Sequence, residues 1–360
     1  LLPYWVLFLA WTAAALAQNR LSLPSGIATS TRTKTSAGVY LLVIGTALLM
    51  GLRFEIGADW VPYLEHYDTV QFLSVPDAVS LPGFDIGYSA IVILSSRLDG
   101  EMWLVNLSCA LIMVFGVSRF CSRQPNPALC FVVAIPYLII VVGMGYTRQA
   151  VAIGIILAGI ADFDGKSIVK ITLFVLAAAL FHKTAILVLP LILAPFAKRR
   201  PIYLIFGGLV FIALFFLLLR ESADLLIANY IDADYESRGA VIRVAMNFLP
   251  AVLALALRKR LGFNSYQSDM WSVFALVAIA TLPLALAANF TTAIDRLALF
   301  LIPLQIVILP RIPYVFGTGK AVNALMMIGV IGYSATVQFV WLVFATHAEY
   351  WVPYHSYLSS

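Results

Sequence analysis

ALCFVVAIPYLIIVVGMGYTRQAVAIGIILAGIAD, residues 128–162, decides the fold. Two apolar runs, 128–146 and 148–162, meet at a short break, and the charges in the whole stretch are Arg148 at that break and Asp162 at the far end. A backbone surrounded by hydrocarbon must satisfy its own N–H and C=O groups, and a continuous helix does so. Apolar stretches of this kind follow one another from Leu1 to Phe344, and the 360-residue chain is 62% hydrophobic and 11% charged. Further spans read as 3–17, 37–54, 101–118, 167–182, 184–197, 201–219, 239–257, 270–288, 295–310 and 321–345. The fold class is therefore all-α, a polytopic integral membrane protein with about 12 transmembrane helices. Residues 1–17 read as a retained first span, because no clear small-residue cleavage site follows Ala17. The widest polar break, 55–85, is too short for a separate soluble domain, so residues 1–360 form one transmembrane domain.

A shorter apolar stretch, 84–96, falls below the roughly 20 residues a crossing helix needs. Read as a re-entrant or interfacial helix, it brings the loop charges into agreement along the chain. The cytoplasmic side then carries Arg20, Arg32, Lys34, Arg119, Arg123, Lys166, Lys170, Lys198, Arg199, Arg200, Arg258, Lys259, Arg260, Arg311 and Lys320, against the acids Asp162, Asp164 and Asp269. The outer side receives most of the acids, as the positive-inside rule expects. It comprises the 55–85 loop with its re-entrant helix to 96, an amphipathic connector at 220–238 and a C-terminal tail at 346–360, and both chain ends lie outside. The excess of Lys and Arg then belongs to loops at a membrane surface and implies no nucleic-acid partner. Cys109, Cys121 and Cys130 lack C-x-x-C spacing and read as reduced packing residues.

The few basic residues left on the acidic side mark the candidate site. Arg53 ends a span, Gly57 supplies a turn, and Asp59, Trp60 and Tyr63 follow. Carboxylates with flat rings in one loop suit a sugar, and they equally suit an interfacial aromatic belt. In Gly143-Met-Gly-Tyr-Thr-Arg148-Gln149, a guanidinium at a helix start can clamp a phosphate in two-pronged fashion, or simply snorkel. His182 and Lys183 separate two short apolar helices, where an imidazole could serve as base, phosphate donor or ordinary loop residue. Arg243 lies one turn inside its span and should face the bundle interior. Asp295 and Arg296 are adjacent on a helix, so they point to different faces and need not pair with each other. No nucleotide-binding loop, H-E-x-x-H or Cys/His cluster occurs, so neither a metal nor another cofactor is expected. A donor activated beforehand, reached from outside, fits better than a cytoplasmic nucleotide.

At these residues the chain resembles the EpsG family of bacterial exopolysaccharide polymerases, within the broader Wzy-like group. The matching pieces are Arg53 with Gly57-Ala-Asp59-Trp-x-x-Tyr63, Phe84-Asp85-Ile-Gly87-Tyr88, Arg148-Gln149-x-x-Ala152, Phe181-His182-Lys183-Thr184-Ala185, Asp295-Arg296-Leu and Pro353-Tyr354-x-Ser356. Asp85 stands where Glu is expected, which keeps the carboxylate and shortens its reach. The resemblance implies a membrane glycosyltransferase, of GT-C-like architecture, in the bacterial inner membrane with its active site facing the periplasm or exterior. It would join undecaprenyl-pyrophosphate-linked oligosaccharide repeat units, with a flippase and a chain-length copolymerase as candidate partners. His182, Asp59 and Arg148 are the catalytic candidates it implies, with His182 favoured as base for its near-neutral intrinsic pKa. Arg53, Tyr63, Asp85, Gln149, Lys183, Arg243, Arg296 and Tyr354 are the substrate-binding candidates. The alternatives are a ligase-type transferase or acyltransferase, against which the short connector argues, and a flippase or other transporter of the same lipid-linked sugar.

Overall fold

The computed structural model describes residues 1–18, 37–81, 83–163, 165–197, 208–209, 212–213, 239–287, 291–316 and 320–359. Among them every regular element is helical, and the one β pairing is an isolated bridge between Arg53 and Ser356. The helices are α1 (Leu2–Ala17), α2 (Ala37–Gly51), α3 (Trp60–Val70), α4 (Val75–Ser80), α5 (Ile86–Arg97), α6 (Glu101–Cys121), α7 (Pro127–Gly145), α8 (Thr147–Ala161), α9 (Ile168–Ala179) and α10 (Leu189–Ala197). After these come α11 (Ala240–Ala256), α12 (Ser265–Ala287), α13 (Thr291–Ala298), α14 (Pro303–Ile308), α15 (Ile312–Phe316) and α16 (Lys320–Phe344).

Among the described residues five helical stretches are long and apolar enough to cross a membrane: Glu101–Cys121, Pro127–Gly145, Ser265–Ala287, Ile294–Phe316 and Asn323–Phe344. The expected 295–310 span emerges as part of Ile294–Phe316, broken by short 3-10 turns at Leu299–Leu301 and Leu309–Arg311. Seven further apolar helices have 10–17 residues. The expected 201–219 span, apart from residues 208–209 and 212–213, and the whole 220–238 connector lie outside the described residues.

α7 is the axis of the bundle. Every residue from Ala128 to Gly145 is buried, as befits a helix apolar on all sides. Pro136 supplies no N–H to the helical ladder, and the stretch Ile135–Val142 around it winds as a π-helix. Outward-facing residues stay apolar too: Leu41 is 69% exposed and Phe115 63%. A face of this kind belongs against lipid rather than water.

α6 and α8 run parallel and touch backbone to backbone. A Cβ on Gly116 would stand 1.9 Å from the Gly154 carbonyl oxygen, so glycine is required at the crossing. Asp162, just past the end of α8, consequently meets Arg119 and Arg123 at the end of α6. Arg148 opens α8 at the other end, about 20 Å away at 1.5 Å per residue. The bundle therefore has an Arg148 pole and an Asp162 pole.

The C-terminal tail closes the Arg148 pole. Phe54 N–H donates to the His355 carbonyl, Gly57 N–H to that of Tyr350, and Tyr357 N–H to that of Leu52. Trp351 is fully buried and its indole N–H donates to Ile140 O at 2.9 Å. The aromatic tail thus folds back along the first loop. Cys109, Cys121 and Cys130 are buried free thiols.

Candidate active site

Gly57 places the first acid of the site. Its φ is +108°, and a Cβ there would lie 2.2 Å from Met144 O, so this loop can lie flat against the end of α7 only with glycine. Arg53 holds the same loop from beneath. It is 1% exposed and donates to Met50 O (2.7 Å), Ile56 O (3.3 Å) and Thr147 Oγ1 (2.8 Å). Those carbonyls include ones the end of α2 leaves unpaired. Asp59 then precedes α3, whose Tyr63 receives the backbone N–H of Arg148 on its hydroxyl at 3.3 Å.

Arg148, in the first turn of α8, donates through Nη1 to Asp85 Oδ2 (2.9 Å) and Gly83 O (3.2 Å), with its guanidinium 5.9 Å from the Tyr63 ring centre. Asp85 starts α5 and is buried. The backbone N–H of Lys183 also bonds this carboxylate, and the Lys183 charge acts on it. The His182 loop is pinned beside α5 by Gly87 N–H donating to Leu180 O at 2.7 Å.

A second pair comes from the other half of the chain. Arg243 grips Asp295 with two bonds, Nε to Oδ1 at 2.9 Å and Nη2 to Oδ2 at 2.7 Å. Arg296 points elsewhere, stacking its guanidinium 3.7 Å over the Tyr146 ring with Nη2 4.0 Å from Asp59 Oδ2. Adjacent residues on one helix do face different partners. Gln149 Nε2 donates to Arg296 O at 2.7 Å and ties the two halves together. Asn247 continues the seam, donating to Ala298 O and accepting from Gln305.

The electrostatics join these contacts into one site. Burial raises the Asp59 pKa, opposed by Arg296 and Arg148. Burial also raises Asp85, to about 6, against the pull of Arg148 and Lys183. His182 is pushed down to about 3 by burial and then by Arg148 and Arg296, so the ring is neutral at every physiological pH. Burial and the two arginines thus work against the near-neutral pKa on which the expectation of His182 as base rests.

Asp59, Tyr63, Asp85, Arg148, Gln149, His182, Lys183, Arg243 and Arg296 therefore come together. Arg53 lies behind them with its donors committed to the loop. Tyr354 sits apart, its hydroxyl donating to Leu49 O at 2.7 Å and its ring edge-on to Tyr4. His66 and Tyr137, absent from the sequence reading, also enter. His66 packs on Phe84 with ring centres 4.2 Å apart, approaches Ser89 Oγ at 3.3 Å, and is lowered to about 3 by burial and Arg148. The buried hydroxyls of Tyr88 and Tyr137 and the Oε1 of Gln149 have no hydrogen-bond partner among the described residues. Tyr137 feels Asp295 and Arg243, and Tyr88 feels Arg148. Buried polar atoms without partners are rare, and each asks for a reason. Among the described residues no three His, Cys, Asp or Glu side chains converge as a metal site would require.

Cationic side chains over carboxylates, aromatic faces and idle buried acceptors can hold an anionic, hydroxyl-rich ligand and move a proton. No curated protein and no solved structure matches the chain. Residues 38–356, most of its length, match the EpsG family, and the chain belongs to that family of exopolysaccharide polymerases.

Proposed function

We propose that the chain polymerises oligosaccharide repeat units carried on undecaprenyl pyrophosphate, at the outer face of the bacterial inner membrane. The observation that carries this reading is the placement of the Asp59 carboxylate within reach of two guanidinium groups, Arg296 at 4.0 Å and Arg148 acting on it electrostatically. A base beside two anion-binding groups is what transfer from a diphosphate to a hydroxyl requires. On this reading about twelve helices cross, and the Arg148 pole faces outward because it is acid-rich.

The growing chain on its lipid is the donor, and a sugar hydroxyl of the next lipid-linked unit is the acceptor. The hydroxyl oxygen attacks the anomeric carbon while the bond from that carbon to the pyrophosphate oxygen breaks. The bonding pair leaves with the pyrophosphate, and the hydroxyl proton passes to Asp59. Arg148, Arg296 and Arg243 stabilise the charge that grows on the leaving group, and a guanidinium fork suits paired phosphate oxygens. His182, neutral throughout, orients a hydroxyl or phosphate by hydrogen bonding and is not the base. Tyr63, Asp85, Gln149 and Lys183 shape the substrate pocket. Arg53 supports the loop on which Asp59 sits, and Tyr354 holds the tail against α2. Flippase and copolymerase partners would supply units and set chain length.

The test is Arg148→Ala in cells. Long polymer should disappear and single repeat units should accumulate on lipid, with protein levels unchanged. Normal chain lengths at that protein level would refute the phosphate-clamp role.

A further inference from the structure

A second site lies at the Asp162 pole, on the opposite end of the bundle from the carboxylate–guanidinium cluster. α2 and α6 diverge there around a cavity of about 820 Å3. Its long wall is apolar, from Val43, Ile44, Leu111 and Phe115, and its end is formed by Arg119, Arg123 and Asp162. Ile44 and Phe115 are 52% and 63% exposed, so the wall is open to the surrounding hydrocarbon.

The end is charged asymmetrically. Arg119 Nη2 meets Asp162 Oδ2 at 2.6 Å, and Arg123 Nη2 meets the other oxygen of the same carboxylate. Two guanidiniums against one carboxylate leave a net positive charge. Arg119 Nε is buried and has no hydrogen-bond partner among the described residues. From Leu111 to Arg123 the wall runs about 18 Å along α6. That is close to half of a hydrocarbon core about 30 Å thick. An amphiphile of one leaflet, with an apolar chain along α6 and an anionic head at the arginines, matches the groove in length, polarity and charge. A free phosphate would leave the apolar wall unused.

We infer that this groove binds one acidic glycerophospholipid of the surrounding leaflet, its phosphodiester held by Arg119 and Arg123. Asp162 positions the two guanidiniums and limits their charge. The site does not depend on the polymerase reading, because none of its residues belongs to the cluster at the other pole.

Native mass spectrometry of the purified full chain, in detergent carrying equal amounts of phosphatidylglycerol and phosphatidylcholine with matched acyl chains, tests this. Phosphatidylglycerol should be retained over phosphatidylcholine by about fivefold or more, the scale set by a basic residue near an anionic lipid surface. Arg119→Gln with Arg123→Gln should bring the ratio to parity. Asp162→Asn should raise it above wild type, a gain that does not arise from misfolding and that decides the matter if the double variant fails to fold. Equal retention of both lipids by wild type, or a ratio unmoved in Asp162→Asn, overturns the proposal. A third arm adds polyprenyl phosphate, and its displacement of phosphatidylglycerol from the arginines would also overturn it.

Discussion

The two poles of the bundle use the same chemistry, arginine against aspartate, for different ends. At the Arg148 pole Asp85 and Asp295 are buried, their side chains 6% and 8% exposed, while Asp59 is 34% exposed. These pairs join residues 63 and 52 positions apart. At the Asp162 pole the paired arginines are more open, Arg119 and Arg123 at 36% and Arg258 at 43%, while Arg311 is buried against Phe263. An exposed pair contributes little, about 0–1 kcal/mol. A buried pair loses much of its attraction to desolvation and is poor evidence of stabilisation. The Arg148 pole joins buried Arg–Asp pairs from distant parts of the chain and carries a tail folded over its first loop. The difference shows which arginines are expected to matter to chemistry, and substitutions can break or sharpen it.

The largest effect should come from Asp59→Asn, which removes the proton acceptor. A general base contributes roughly 10²–10⁴-fold, so polymer formation should fall by about that factor with protein abundance maintained. His182→Gln should cost less than about tenfold and leave the pH profile unchanged between 6 and 8, because the ring is already neutral there. A larger loss in His182→Gln than in Asp59→Asn, measured as bonds formed per protein, would reverse their roles. Next comes Arg243→Lys, which keeps the charge but cannot reproduce the two-pronged grip on Asp295. A loss of about tenfold or more is expected, and wild-type rates would show that only the charge matters.

The third effect is on pH dependence. Asp85 titrates near 6 rather than near the ordinary 3.9. The fold therefore favours its protonated form, and its contribution to stability is fully present below about pH 4 and lost as pH rises through 6. Activity should run the other way, rising through about pH 6 as the ionised carboxylate engages Arg148. Asp85→Asn should flatten both trends, read from thermal unfolding and from rate across pH 5–7. The smallest effect belongs to Arg258→Gln at the other pole, with activity within about twofold of wild type and a stability change under about 1 kcal/mol.

The helices were largely legible in the sequence because hydropathy alone sets them. The expected 148–162 is Thr147–Ala161, 239–257 is Ala240–Ala256, and the short 84–96 is Ile86–Arg97. Adjacent Asp295 and Arg296 were correctly read as facing apart, from helical geometry alone. What stayed hidden depended on distant partners. α3 mixes acids, aromatics and a proline over eleven residues, so it read as loop. Asp295 gained its role from Arg243 across 52 positions, which no local pattern encodes. Tyr137 lies in an apolar run and looks like core, yet its buried hydroxyl finds no partner among the described residues and Asp295 acts on it. His182 shows the limit most clearly, since an intrinsic pKa is a property of the residue and a buried one belongs to its neighbours. Arg53 and Tyr354 were found by motif, and the structure places them outside the cluster, Arg53 bonded to Ile56 O of the first loop and Tyr354 to Leu49 O of α2.

The most direct measurement is reconstitution of the purified protein into vesicles with lipid-linked repeat units and no ion gradient. New glycosidic bonds should form, with lipid pyrophosphate released in equal amount, and Arg148→Ala should abolish both. Movement of the lipid-linked sugar across the bilayer without a new bond would contradict the account and make the protein a transporter.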